Sequence, residues 1–162
     1  MVSDPDIITT ADRPYICIRA MAKYDDLPTT ISVGLGHVSM WLNSHPDAKP
    51  DIAIARYRRM TPEAAAVDIE FTLAEPIAGD GNFHDGVLPG GRYAMIKHVG
   101  PYDDLHQAHA VLTDWRPDLL RDVSKAAEGL DWMGLVDIYA TNPKGEPDPS
   151  RFEAYVLQKL KD

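Results

Sequence analysis

The sequence predicts an α+β domain in which one strand-helix-strand-strand unit is written twice, and three observations carry that expectation. The tetrapeptide Tyr-Asp-Asp-Leu stands at residues 24–27 and again at 102–105. Sliding the chain by 78 residues superimposes the two copies and also brings Tyr15 onto Tyr93. Around each copy the order of patterns is the same: an alternating run, a helical run, then two alternating runs. The stretch EPIAGDGNFHDGVLPGG, with five glycines and two prolines, parts the copies and reads as a linker over 77–90. The expectation is one domain over 1–162, with halves at about 14–76 and about 91–160. Two such units pair their sheets edge to edge, giving a continuous antiparallel sheet with helices on one face and a groove on the other.

Residues 1–13 are polar and fit either a disordered tail or an edge strand. PYICIRAMAK then reads as a strand, and Tyr-Asp-Asp-Leu opens a helix. Aspartate there suits the free N–H groups and the positive dipole end, and Pro28 needs no N–H in the first turn. Leu27, Ile31, Leu35, Val38 and Leu42 share one face, with Trp41 alongside. Gly34 and Gly36 mark close helix packing or a kink. DIAIARYRR and AAVDIEFTLA follow as strands about the turn MTPEA. In the second half GRYAMIKHV is the strand, and Leu105, Ala108, Leu112 and Trp115 form the helical face, which Pro117 closes. MGLVDIYAT and RFEAYVLQKL complete that unit about NPKGEPDPS. Trp41 and Trp115 read as core.

Of the 162 residues, 44% are hydrophobic and 25% charged, which is ordinary for a globular protein with a real core. A net charge of -9 argues against direct nucleic-acid binding, which needs a basic surface. No run of about 18 apolar residues suggests a membrane span, and the N-terminus lacks a signal-peptide pattern. The single cysteine, Cys17, rules out an internal disulfide and fits a reducing cytoplasm. The six histidines form no zinc-ligand pattern, so no metal is expected; His98 reads as structural and His106 and His109 carry little information. No phosphate-cradling loop, dinucleotide fingerprint or nucleophile elbow occurs, so no cofactor is expected.

The segment GGRYAMIKHVGPYDDLHQAHAVLTDW, with VDIYATNP and RFEAYVLQKL, resembles the gyrase-inhibitor-like (GyrI-like) small-molecule-binding domain, which also forms the effector-binding part of AraC-type and MerR-type multidrug regulators. Gly91, Tyr93, Ala94, Lys97, His98, Gly100, Pro101 and Tyr102 meet its central signature, and the likeness covers about residues 14–160. The resemblance implies the duplicated unit, and a groove between the halves that takes lipophilic, often cationic or planar compounds. It implies a ligand-facing acid at Asp137, one methylene shorter than the family's glutamate. In the last strand Glu153, Tyr155 and Val156 fit, while Leu157 stands where proline is common. Glu70 and Ala74 occupy the comparable places in the first half.

Alternation puts Asp137 with Tyr139 on one strand face, and Glu153 with Tyr155 on one face of the next. If those faces coincide, two acids lie beneath aromatic rings, good chemistry for a cation. The residue-level alternative is that these acids pair with Arg56, Arg58 or Arg151 at the rim. Tyr57, Tyr93 and Trp132 are further ligand-binding candidates, with Tyr15 and Phe71 as wall residues. The leading expectation is a stand-alone protein that binds such a small molecule for effector sensing or sequestration, with or without a separate regulator. A second is a hydrolase of strained electrophiles such as cyclopropyl-bearing DNA alkylators, with Asp137 or Glu153 as the acid and Tyr139 or Tyr155 as proton donor. The third is an acidic protein-interaction module of gyrase-inhibitor type.

Overall fold

The structure, a computed structural model, describes residues 1–123 and 132–161. In chain order it comprises β1 (Asp6–Thr10), β2 (Arg13–Lys23), α1 (Leu27–Asn43), β3 (Pro50–Met60), β4 (Ala64–Leu73), β5 (His84–Leu88), β6 (Gly91–Val99), α2 (His106–Asp114), β7 (Leu135–Tyr139) and β8 (Glu153–Lys159). A single 3-10 turn, Tyr102–Asp104, leads into α2. All eight strands form one antiparallel sheet in the order β1-β6-β8-β7-β3-β4-β2-β5. This is the duplicated α+β unit: β2-α1-β3-β4 and β6-α2-β7-β8 join where β3 meets β7.

The seam places the pseudo-twofold axis. Its register runs from Ala53 opposite Tyr139 to Tyr57 opposite Leu135, and the central pair is Ala55 with Asp137. The axis therefore passes between Ala55 and Asp137, and it relates Tyr57 to Tyr139.

The segment expected to be linker carries a strand. β5 lies inside 77–90 and pairs with β2, while β1 pairs with β6, so each half lends its first strand to the other's outer edge. β1 and β5 are themselves 78 residues apart, so the repeat extends further toward the N-terminus than its apolar signal does. That signal is faint because edge strands tolerate charge and glycine. In HDGVL, Asp85 breaks the alternation and Gly86 has no side chain because a Cβ there would strike the Tyr15 hydroxyl. Of the two possibilities left open for residues 1–13, the edge strand is the one formed.

The repeated tyrosine has a structural task. Tyr24 donates its hydroxyl to Thr61 O at 2.6 Å, and Tyr102 donates to Thr141 O at 2.6 Å. In both halves the bond ties the start of the helix to the connection between the next two strands. The expected capping by the aspartates is not seen, since neither α1 nor α2 has a side-chain cap bond. The chain instead turns tightly through backbone bonds, Leu27 N to Tyr24 O and Leu105 N to Tyr102 O.

Both helices cover the same face of the sheet. Leu27 and Ile31 of α1 pack on Ala55, Tyr57, Val67 and Ile69. Val38, Trp41 and Leu42 pack on Ile16 and Leu73, so Trp41 is core as expected. Leu105, Ala108 and Leu112 of α2 cover Ala94, Ile96, Ala154 and Val156. Gly34 brings α1 down onto β4, because any Cβ there would collide with Ile69 Cδ1, whereas Gly36 faces open space. The opposite face has its own apolar cluster of Ile54, Tyr93, Trp132, Val136 and Leu157. No helix among the described residues is long and apolar enough to cross a membrane.

Candidate functional site

Asp137 sits at the middle of the seam, on the face that bears the helices, and is 1% exposed. A carboxylate there loses its water, and the fold replaces it with two donors. Tyr57, from β3, donates its hydroxyl to Oδ2 at 2.8 Å. His109, from α2, donates Nε2–H to Oδ1 at 2.6 Å. The imidazole also meets the Tyr57 ring edge-on, with centroids 5.7 Å apart. Across the axis Tyr139 supplies a second ring, which packs against both helix clusters and stands edge-on to Tyr102 at 5.0 Å.

The electrostatics follow from burial. It pushes the Tyr57 and Tyr139 phenols well above their ordinary values, and the charge of Asp137 adds to the effect. For His109, burial works against protonation, but the charge and hydrogen bond of Asp137 outweigh it and raise the imidazole above its usual range. The carboxylate thus favours the charged imidazole beside it in a low-dielectric setting, and burial favours the neutral form of the two phenols around it.

A hollow opens here that totals about 1750 Å³ over both faces of the sheet. Between the helices it is lined by Leu27, Ile31, Tyr57, His109, Asp137 and Tyr139. It is not confined to one face: Ile54, Tyr93, Tyr155 and Leu157, from the side away from the helices, line its continuation. Between the helices the lining is mainly aliphatic and aromatic with polar groups among it, the character of sites that take a drug-sized molecule.

The candidate residues divide between the faces. Tyr57, Asp137 and Tyr139 come together between the helices. Glu153 and Tyr155 do not join them, because in the β7–β8 register Asp137 lies opposite Val156, while Tyr155 lies opposite Ile138. Cross-strand neighbours share a face, so Tyr155 falls with Ile138 behind the sheet. Glu153 is 44% exposed and pairs with Lys97 at 3.0 Å, outside the hollow's lining. Tyr93 is buried behind the sheet and donates to Pro89 O. Trp132 is also buried there, 5.5 Å from the Arg56 guanidinium, and does not line the hollow. The arginines expected to neutralise the acids are engaged elsewhere: Arg56 with Glu70 and Asp68, Arg58 with Asp68, Arg151 with Asp148.

His109 and Tyr102 are site residues that pattern reading passed over. Spacing puts His109 four residues after Leu105 and one after Ala108, on the face of the helix that must meet the sheet, but names no partner for it there.

Relatives extend this picture. The Escherichia coli (strain K12) protein named "Probable transcriptional regulator YgiV" is 40% identical over 58 residues, a match that spans 35% of this chain and 36% of that protein. EcmrR, solved in a complex with DNA, superimposes with a TM-score of 0.82 at 14% identity, covering 98% of this chain and 57% of the longer one. Its C-terminal domain alone gives 0.75 at 14% identity, with 98% of each chain covered. SAV2435, solved with bound tetraphenylphosphonium, gives 0.59 at 9% identity, covering 98% and 94%. At these identities the structural likeness is one of fold. The sequence profile described as "GyrI-like small molecule binding domain" matches residues 3–122, and the chain belongs to that family.

Proposed function

We propose that the hollow between α1 and α2 binds a lipophilic, flat or cationic small molecule, for sensing or for sequestration. The observation that carries this reading is the burial of Asp137 on the seam axis, beneath Tyr57 and Tyr139 and within a mainly apolar space. A carboxylate in such a setting attracts a desolvated cation far more than one in water, and aromatic faces add their quadrupole. Apolar walls supply affinity, and the acid supplies selectivity for positive charge.

A thermal-shift screen of lipophilic cations beside neutral compounds of the same shape tests the proposal. A ligand at 100 times its dissociation constant adds about 2.7 kcal/mol, which moves the midpoint by several degrees in a domain of this size. Cations are expected to stabilise the protein more than their neutral counterparts. Equal shifts for both would remove the acid from the account, and no shift from any compound would remove the site.

The His109–Asp137 contact at 2.6 Å also favours a second reading, hydrolysis of a strained electrophile. In its neutral form the imidazole, oriented by the carboxylate, takes a proton from water, and the hollow holds a flat substrate against it. Time-dependent consumption of such a compound, lost in Asp137→Asn, distinguishes turnover from binding.

A further inference from the structure

We infer that His109 is the built-in counter-ion of the groove: a cation reaches Asp137 only by displacing the protonated imidazole, so binding releases one proton and His109 determines at which pH the groove accepts cations. This rests on the cation-binding reading above.

The repeat supplies the comparison. Under the 78-residue displacement His109 corresponds to Ile31, and across the seam axis Asp137 corresponds to Ala55. In the first half Ile31 and Ala55 belong to one apolar cluster under α1. Packing at these two positions therefore needs no polar group. The second half has an ion pair in their place, with both members facing the hollow. The fold keeps this pair on one side of its axis only.

The partners of Asp137 give the coupling. Oδ2 accepts from Tyr57 and Oδ1 from His109, so each oxygen already has a donor, and the imidazole stands where a cation would meet Oδ1 while it holds its proton there. Tyr57 is neutral and contributes no charge. A cation facing His109 in its protonated form meets a carboxylate already neutralised, beside a like charge. Once the imidazole is neutral, the carboxylate carries an uncompensated charge in an apolar hollow, the state that a cation relieves. Arginine in this position would stay charged at any physiological pH; histidine is the side chain whose ordinary range lies within it.

Titratable groups on the surrounding elements do not duplicate this role. Tyr57 from β3, Tyr139 from β7 and Tyr102 ahead of α2 are neutral phenols with raised pKa values. Tyr24, ahead of α1, is bonded to Thr61 O. Asp103, His106 and Lys144 line the hollow from exposed positions at its rim, and Arg13 and Asp51, also in its lining, pair with one another. The exchange balances as written: the bound cation replaces the imidazolium at Oδ1, and the proton passes from Nε2 to solvent.

The test measures tetraphenylphosphonium affinity for the full chain from about pH 5.5 to about 8.5, in wild type and in His109→Gln, which keeps a donor but cannot titrate. Tetraphenylphosphonium carries a permanent charge, so the protein alone supplies any slope. Wild-type affinity is expected to rise about tenfold per pH unit until the imidazole has discharged, then to level off. His109→Gln is expected to bind with no slope over the same range. NMR of the wild-type imidazole gives an independent reading, in which saturating ligand lowers the pKa of His109. A wild-type affinity that does not change with pH overturns the inference, as does an equal slope in His109→Gln or an imidazole pKa that the ligand leaves in place. Absence of binding by either protein at any pH overturns the cation reading itself, and the exchange with it.

Discussion

Arg56→Met is expected to lower the unfolding free energy by about 3–5 kcal/mol, the usual cost of removing one partner from a buried ion network. Arg56 lies behind the sheet, away from the helices, with a side chain 11% exposed. Its Nε donates to Glu70 at 3.0 Å, and one terminal nitrogen donates to the Tyr15 hydroxyl at 2.8 Å and to Asp68 at 3.2 Å. The guanidinium stands 4.8 Å from the Tyr15 ring and 5.5 Å from that of Trp132. Glu70 is wholly buried, and burial pushes its carboxyl up to about 8 even against the pull of Arg56. Without the arginine that pull disappears and a fully desolvated acid loses its donor. Asp68 keeps Arg58 at 2.8 Å, so the damage concentrates on Glu70. The double variant Arg56→Met/Glu70→Met is expected to recover most of the loss, because an apolar pair of similar volume needs no compensation. Urea unfolding of the two variants beside wild type checks this. A loss under about 1 kcal/mol for the single variant would mean that the network contributes little. Since neither Arg56 nor Glu70 lines the hollow, ligand affinity should be unchanged in whatever fraction remains folded.

Asp137→Asn is expected to weaken a lipophilic cation by about 2–5 kcal/mol, or about 30- to several-thousand-fold in dissociation constant, the range for losing one member of a buried charge pair. The amide keeps the shape of the carboxylate and an acceptor for Tyr57, so the hollow should keep its form. A neutral compound of matched shape should lose less than about tenfold, since it draws its affinity from the apolar walls. Calorimetric titration of both compounds against wild type and variant separates charge from shape. Equal weakening of cation and neutral compound would show that the substitution reshaped the hollow rather than removing its charge.

The sequence made the fold legible wherever a period was strong. The face Leu27, Ile31, Val38 and Leu42 repeats at helical spacing and is buried as expected. The six strand runs all appear, although β7 is trimmed to Leu135–Tyr139. β5 was not legible, because an edge strand carrying Asp85 and Gly86 lacks the alternation that marks a half-buried one. The site was legible strand by strand, and its assembly was not. Alternation shows that Asp137 and Tyr139 share a face, but the relation of that face to the one bearing Tyr155 depends on register, which no single strand contains. Tyr57 was among the candidates on composition alone; what makes it a partner of Asp137 is the β3–β7 seam, a contact between residues 80 apart in the chain. His109 was missed for a chemical reason. A histidine on a helix is informative only through what it touches, and Asp137 lies 28 residues further on.

The proposed role of Asp137 depends on where a ligand lies. A crystal structure with a bound lipophilic cation, marked by a heavy atom, is the decisive measurement. The cation is expected between α1 and α2, against the rings of Tyr57 and Tyr139 and within contact of Asp137. A cation lodged instead behind the sheet, against Ile54, Tyr93 and Tyr155, would contradict that role.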